Sequence, residues 1–217
     1  MIESATGLIL RTRPLTETSL IVQWLTPNFG RIATVAKGAR RLKSPFLGRL
    51  DLFYVADLSF SRRRRSDLHV LREVGLRELH AALRENLASL RQATYAAAFV
   101  EQATETETPL PAVYDLMRGL LDHLCQQPAG PQTVFAFELK FLHELGLEPD
   151  WKNTRLSAGA KKIVQILAQA GWPEIARLKM TNAPITELRE FLHGFLLFHL
   201  GRLPKGRAAA LAIQVWK

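Results

Sequence analysis

The segment that decides the fold covers residues 19–37 and reads SLIVQWLTPNFGRIATVAK. Residues 19–26 are rich in β-branched and aromatic side chains, which is the composition of a strand. Pro27, Asn28 and Gly30 then give a turn signal, and residues 31–37 return to strand composition. The segment therefore predicts a β-hairpin.

Three further strands are predicted on either side of this hairpin. In Thr6–Arg13, Leu8 and Leu10 fall on one face, and the alternation with polar residues is that of a half-buried strand. Leu50–Phe60 alternates in the same way, and Asp67–Val74 completes the set. Five strands with no helix between them predict a small closed barrel such as an OB-fold.

From Glu78 onward the hydrophobic period becomes helical. Apolar residues three or four apart predict one long helix from Glu78 to about Thr104. Further helices are predicted at residues 111–126, 133–145, 157–170 and 185–200, separated by proline and glycine. The sequence thus predicts an α+β multidomain chain, with an OB-fold barrel over residues 1–78 and an all-α helical domain over residues 79–217.

The composition is that of a globular protein. The chain has 217 residues, of which 47% are hydrophobic, and this is enough to fill a core. It has no apolar run of membrane-spanning length, and residues 1–5 lack the layout of a signal peptide, so we expect a cytoplasmic location. The single cysteine, Cys125, excludes an internal disulfide and a cysteine-cluster zinc site.

The positive charge is concentrated in the first third of the chain. The net charge is +9; residues 1–78 hold 14 Lys and Arg against 7 Asp and Glu, while residues 79–217 hold 15 against 13. Such asymmetry indicates a polyanionic partner for the first third, either nucleic acid or an anionic membrane. A membrane partner is disfavoured because no basic amphipathic helix is predicted there.

Two basic turns belong to the predicted barrel. One carries four cations around Gly38, and the other is the run Arg62–Arg65. Each alone is typical of a solvated surface, but two on one OB barrel favour a track along a phosphate backbone. Phe29 and Phe46, in turns, are the better candidates for stacking on bases, whereas Trp24, Phe53 and Tyr54 are expected in the core. The predicted contacts are Arg11, Arg13, Arg31, Lys37, Gly38, Arg40, Arg41, Lys43, Arg62, Arg63, Arg64 and Arg65.

No pattern in the sequence predicts an enzyme. The six histidines lack metal-binding spacing and are expected at the surface or its boundary. No phosphate-binding loop, dinucleotide fingerprint or nucleophile elbow is present. Asp51, Asp57 and Asp67 leave a metal-dependent nuclease as a rival, although a structural role is favoured. No catalytic residue, metal or cofactor is therefore predicted.

Several motifs together resemble a known family, that of the bacterial recombination mediator RecO. In the barrel they are Arg13-Pro14, Glu17-Thr18-Ser19-Leu20, Leu25-Thr26, Gly30-Arg31 and Val35-Ala36-Lys37-Gly38-Ala39-Arg40 through Ser44. In the helical part, Phe137-Glu138-Leu139-Lys140-Phe141-Leu142 followed by Leu145-Gly146-Leu147 is similar to the family's "FEL…LLxxLGY" helix. A fainter likeness follows at residues 200–205.

The resemblance implies a non-enzymatic protein of DNA repair and homologous recombination in the cytoplasm, close to the nucleoid. Such a protein binds single- and double-stranded DNA, anneals complementary strands, and works with RecR to load RecA onto strands coated by single-stranded-DNA-binding protein (SSB). Its helical domain grips the acidic C-terminal tail of SSB.

The chain departs from the family in two places. The family's four-cysteine zinc site is replaced by Glu148–Asn153, so zinc should be absent. Phe135 and Ala136 stand where a basic residue often precedes "FEL". The partner-binding candidates are Lys140, Arg202, Lys205 and Arg207. For the last three, which follow the final predicted helix, an ordinary interaction with the helix C-terminus is the alternative. An RNA-binding OB module remains the principal rival function.

Overall fold

The computed structural model describes residues 1–212, apart from the side chain of Lys152. The chain divides into two compact units. The barrel unit comprises Met1–Ala81 and Thr104–Arg118, and the helical unit comprises Ala82–Ala103 and the described residues from Gly119 onward. The domain boundary that the sequence predicts after residue 78 stays a prediction.

The barrel unit is a closed five-stranded barrel, which confirms the prediction. Its strands follow one another around the barrel in the order β1-β2-β3-β5-β4, and only β3 and β5 pair in parallel. The strands are β1 (Ile2–Pro14), β2 (Leu20–Thr26), β3 (Gly30–Ala36), β4 (Val55–Ser61) and β5 (Leu68–Glu78).

Alternation along the strands fills the barrel. Ile9, Trp24 and Ile32 lie in its buried core, while neighbouring positions such as Arg11 and Gln23 lie further out. The buried indole Nε1 of Trp24 donates a hydrogen bond to Thr34 Oγ1 at 2.8 Å. The core therefore contains the largest ring of the barrel without leaving its polar atom unsatisfied.

The fourth strand begins later than its alternation suggests. Residues 51–54 form a turn in which the N–H of Tyr54 donates to Asp51 O at 3.3 Å and Asp51 Oδ1 accepts the N–H of Leu52 at 2.8 Å. Phe53 has φ +64°, a left-handed conformation that a strand does not contain. Strand β4 therefore starts at Val55, and the prediction of a strand from Leu50 is wrong at that end.

The helical part also differs from the sequence prediction at its start. The expected continuous helix from Glu78 is interrupted after a 3₁₀ turn at Ala81–Arg84. Asn86 Oδ1 accepts the N–H groups of Ala88 at 2.9 Å and Ser89 at 3.1 Å, so it caps a new helix. This helix, α1, covers Leu87–Ala103.

Six more helices follow, and four of them were predicted. They are α2 (Pro111–Gln126), α3 (Pro131–Glu144), α4 (Ala158–Gln169), α5 (Trp172–Arg177), α6 (Asn182–Leu200) and α7 (Arg207–Leu211). The short helices α5 and α7 were not predicted, and a further 3₁₀ turn lies at Trp151–Asn153. None of the helices within residues 1–212 combines the length and apolar character that a membrane-spanning segment requires.

Aromatic rings form the centre of the helical unit. Phe99 of α1 packs edge to face on Phe141 of α3, with ring centroids 4.7 Å apart, and Phe137 lies beside both. All three side chains are buried. The aromatic run on α3 is therefore core, as its helical spacing favours.

Candidate nucleic-acid interface

The first basic turn follows β3 and is held against the turn between β1 and β2. Gly38 adopts φ +69°, which reverses the chain directly after the strand. Arg40 donates from its backbone N–H to Thr18 O at 3.0 Å and from Nη1 to Thr16 O at 3.2 Å. The loop is thus fixed in place while its four cations are exposed: Lys37, Arg40, Arg41 and Lys43.

The aromatic candidates for base stacking lie mostly inside the barrel. Phe46 is only 7% exposed and belongs to the barrel core, so the prediction that its ring stacks on bases is wrong. Phe29 is half-buried and packs edge to face on Phe60, with centroids 5.6 Å apart. Phe46 instead fastens the far end of the basic loop to the barrel.

The second basic turn connects β4 to β5. Arg62, Arg63, Arg64 and Arg65 are all exposed. The backbone N–H of Arg62 donates to Met1 O at 3.1 Å, and that of Arg63 donates to His69 Nδ1 at 3.4 Å. The side chain of Arg62 forms an ion pair with Glu107. The turn is therefore fixed at its start, and its remaining guanidinium groups lie at the surface.

The strand register places the two basic turns toward opposite ends of β3. Lys37 directly follows β3, whereas Leu68, shortly after the second turn, pairs with Ala33 in the middle of that strand. Lys37 lies four positions after Ala33, a distance of about 13 Å at roughly 3.3 Å per residue. The turns therefore lie toward the two ends of β3.

Arg11 and Arg13 of β1 lie outside the barrel core. Arg11 pairs with Gln23, which pairs in turn with Ala33, so these three residues form one row across the sheet. Both arginines are exposed. Arg11 is therefore in register with the middle of β3, between the positions that the two basic turns adjoin.

The side chain of Arg31 binds within the protein, unlike the exposed side chains of the other predicted DNA contacts. It is half-buried at the start of β3, and its Nε donates to Thr104 Oγ1 at 2.7 Å. Its Nη2 donates to Thr104 O, and its carbonyl accepts the N–H of Glu107 at 2.9 Å. Arg31 thereby holds residues 104–108, here called the strap, against the barrel. Its contact with DNA stays a prediction.

The aspartates proposed for a nuclease do not assemble a metal site. Arg77 Nε donates to Asp57 Oδ2 at 2.7 Å, and Thr6 Oγ1 donates to Asp57 Oδ1 at 2.7 Å. These hydrogen bonds, Arg77 first, lower the pKa of Asp57. Within residues 1–212, Asp51, Asp57 and Asp67 do not form a cluster of metal-ligand atoms. Asp51 and Asp57 instead hold the fold through hydrogen bonds with Leu52, Thr6 and Arg77.

Three histidines lie in the interior, contrary to expectation. His69 is 1% exposed and stacks on Phe60 with centroids 5.3 Å apart. His80 lies with Nδ1 2.6 Å from Phe53 O, and His123 stacks on Trp172. Each ring has a polar partner or an aromatic neighbour, which explains how it is accommodated.

Three partner-binding candidates of the helical unit lie at or near its surface. Lys140 of α3 is half-buried and its Nζ donates to Ala168 O at 2.9 Å. Burial lowers the pKa of Lys140, against a raising effect of Glu174. Arg202 and Lys205 are exposed in the segment after α6, which ends at Gly201 with φ +70°.

Arg207 does not lie on the rim of a groove, where the sequence placed it. It is 5% exposed, and its Nε and Nη2 donate to the two oxygens of Glu138 at 2.7 and 3.0 Å. The hydroxyl of buried Tyr95 donates to Glu138 Oε1 at 2.5 Å. Burial, followed by the negative charge of Glu138, raises the pKa of Tyr95 well above its usual range. Arg207 therefore joins α7 to α3 inside the core.

Comparison with known proteins identifies both parts of the chain. The model of Recombination protein O N terminal matches residues 1–80, and that of Recombination protein O C terminal matches residues 84–155. A protein of Rhodopirellula baltica named DNA repair protein RecO is 33% identical over 143 residues, which are 66% of this chain and 53% of that protein. One of Myxococcus xanthus with the same name is 30% identical over 154 residues, 71% of this chain and 63% of the relative. The matched part thus spans between half and two thirds of these relatives.

Proposed function

The chain belongs to the Recombination protein O family, and on this premise we propose that it binds single- and double-stranded DNA and anneals complementary strands without making or breaking bonds. The observation that carries the proposal is the pair of exposed basic turns toward the two ends of β3. OB barrels use the loops between their strands to contact a bound nucleic-acid strand.

The mechanism is electrostatic. Two complementary strands repel each other, and cations on a fixed surface reduce this repulsion by replacing the condensed counterions of both. Guanidinium and ammonium groups that contact phosphates carry no sequence information. Because Phe46 is buried and Phe29 is half-buried, stacking contributes less than the sequence suggested. The surface therefore acts as a general clamp on the phosphate backbone.

The helical unit has the second part of the proposed role, which is the choice of protein partners. We assign Lys140, Arg202 and Lys205 to the acidic tail of SSB, since all three are cations at or near the surface of this unit. Together with RecR, the protein would help RecA replace SSB on single strands in the cytoplasm. Arg207 is excluded from direct contact because Glu138 and the core enclose it.

A salt titration tests the DNA interface. Replacing Lys37, Arg40 and Arg41 together with Ala should weaken binding similarly for all sequences and flatten the plot of log affinity against log salt by about three. The control replaces three exposed cations of the helical unit, Lys162, Arg177 and Lys179, with the same loss of charge. Equal slopes in the two triple variants would refute the interface.

Two further experiments distinguish the mediator from its rival functions. Competition between DNA and RNA strands of the same sequence tests the RNA-binding module, which predicts preference for RNA. A strand-annealing assay beside a pull-down with the SSB tail peptide tests the mediator. Annealing without tail binding would leave a basic OB protein with no role in recombination loading.

A further inference from the structure

The strap beside the barrel places one acidic side chain against the second basic turn. Glu107 has φ +57°, an uncommon conformation for a residue with a long side chain. Its N–H donates to Arg31 O at 2.9 Å, and Thr106 forms a parallel bridge with Arg31. The backbone of the strap therefore determines where the Glu107 carboxylate lies.

The two oxygens of this carboxylate have different neighbours. Oε1 lies 3.1 Å from His69 Nε2. Because His69 Nδ1 accepts the backbone N–H of Arg63, the N–H of the ring is at Nε2, which faces Glu107 Oε1. Oε2 contacts the guanidinium of Arg62. One oxygen thus lies beside a buried imidazole ring, and the other contacts a residue of the basic turn.

Exposure separates the two contacts further. The side chain of His69 is 1% exposed, whereas those of Arg62 and Glu107 are 40% and 29% exposed. An external anion therefore reaches Arg62 but not His69. Carboxylates and phosphates bind guanidinium groups with the same planar hydrogen-bond geometry, so one can replace the other at Arg62.

We propose that Arg62 is a phosphate subsite covered by Glu107, which acts as an internal substitute for a nucleic-acid phosphate. The inference rests on the proposed function, and it adds a group that limits DNA affinity. His69 keeps the Glu107 carboxylate in place when a phosphate takes over Arg62. Arg63, Arg64 and Arg65 attract the incoming strand to the same turn. Glu107 Oε2, no longer paired with Arg62, then takes up a counterion from solution, which opposes binding.

The substitution Glu107→Gln tests this arrangement, because it removes the charge and keeps the shape. The variant has no carboxylate that takes up a counterion when a phosphate binds Arg62. The plot of log affinity against log salt for single-stranded DNA should therefore steepen by about 0.7, and affinity should rise about fivefold at 0.1 M salt. The matched control is Glu105→Gln, an equal loss of charge at an exposed position of the same strap. Equal effects of the two variants, or weaker binding by Glu107→Gln, would overturn the proposal.

A second pair of variants makes the test independent of folding effects. In an Arg62→Ala background, Glu107→Gln should change affinity no more than Glu105→Gln does, because the covered group is gone. An undiminished gain in that background contradicts the assignment. A failure of the proposed function has a different signature: the wild-type chain itself would then show no salt-dependent binding to DNA.

Discussion

The barrel unit and the helical unit use arginine in opposite ways. In the barrel unit, Arg63, Arg64 and Arg65 are exposed on a turn between strands. In the helical unit, Arg207 is 5% exposed and donates two hydrogen bonds to the carboxylate of Glu138, which is fully buried. An exposed guanidinium exchanges water for phosphate readily, whereas a buried one cannot leave without stranding a carboxylate. The place of an arginine in the fold therefore decides whether it binds a partner or holds the core.

The largest effect is expected from Arg207→Ala. This change leaves the Glu138 carboxylate buried without its cation, and such losses cost about 3–5 kcal/mol of unfolding free energy. The exposed control Arg202→Ala should stay within about 0.5 kcal/mol of the wild type. Urea denaturation followed by circular dichroism measures both. A similar small loss in the two variants would remove the contrast between buried and exposed arginine.

A smaller loss is expected in the barrel unit from Gly30→Ala. Gly30 has φ +63°, and a Cβ there would lie 2.0 Å from Thr108 O of the strap. The strained backbone alone costs about 1–3 kcal/mol, and the strap must also move. Gly75→Ala is the control, because a Cβ at Gly75 meets nothing within 4 Å. Thermal unfolding that ranks the two variants equally would show that the strap does not press on Gly30.

The helical unit should also lose stability in mild acid through His123. Burial lowers the pKa of this ring, which lies 3.2 Å from Thr133 Oγ1 and stacks on Trp172. Because the unfolded chain binds the proton more tightly, stability should fall as the pH drops through about 6.5. His123→Gln should flatten this dependence between pH 7.5 and 5.5, and exposed His193→Gln should not. An unchanged slope in the first variant would contradict the assignment.

The smallest change in stability is expected from the exposed arginines. Replacing Arg63, Arg64 and Arg65 with Ala should alter the unfolding free energy by no more than about 0.5 kcal/mol per site. The same variant should lower the salt slope of DNA binding by about two to three, since up to three phosphate contacts are lost. A large loss of stability together with an unchanged slope would reverse the roles assigned to the two groups of arginines.

The sequence predicts the barrel well because strand signals are local. The turn after Thr26 lies within a few residues and is confirmed. The alternation expected in β1 is wrong in detail, because residues 7–10 are all buried and the register shifts between Ile9 and Arg11. Two other errors occur where a single polar group overrides the pattern. Asp51 stabilises a turn, so β4 begins later than its alternation suggests. Asn86 caps the start of α1 within a stretch whose apolar pattern is continuous. Periodicity reports which face is buried but not where the backbone bends.

The long-range ion pairs of both units were beyond local patterns. Arg62 meets Glu107 across 45 residues and Glu138 meets Arg207 across 69 residues. One signal was available for the second pair. Glu138 lies within a run of apolar residues on α3, and a carboxylate among core positions requires a buried cation. Helices α5 and α7 have six and five residues, which is too short for a helical period to register.

The contact between helices α1 and α7 affects the order in which the parts of the protein fold during synthesis. Gln92 Nε2 of α1 donates to Gly130 O at 2.8 Å and to Ala210 O at 3.2 Å, and the second partner lies 118 residues later in the chain. At about 5–20 residues per second, a ribosome needs about 6–24 s to add those residues. The barrel strands end at Glu78 and can pair well before that time. We therefore expect nascent chains to carry a finished barrel while α1 still awaits its last partner.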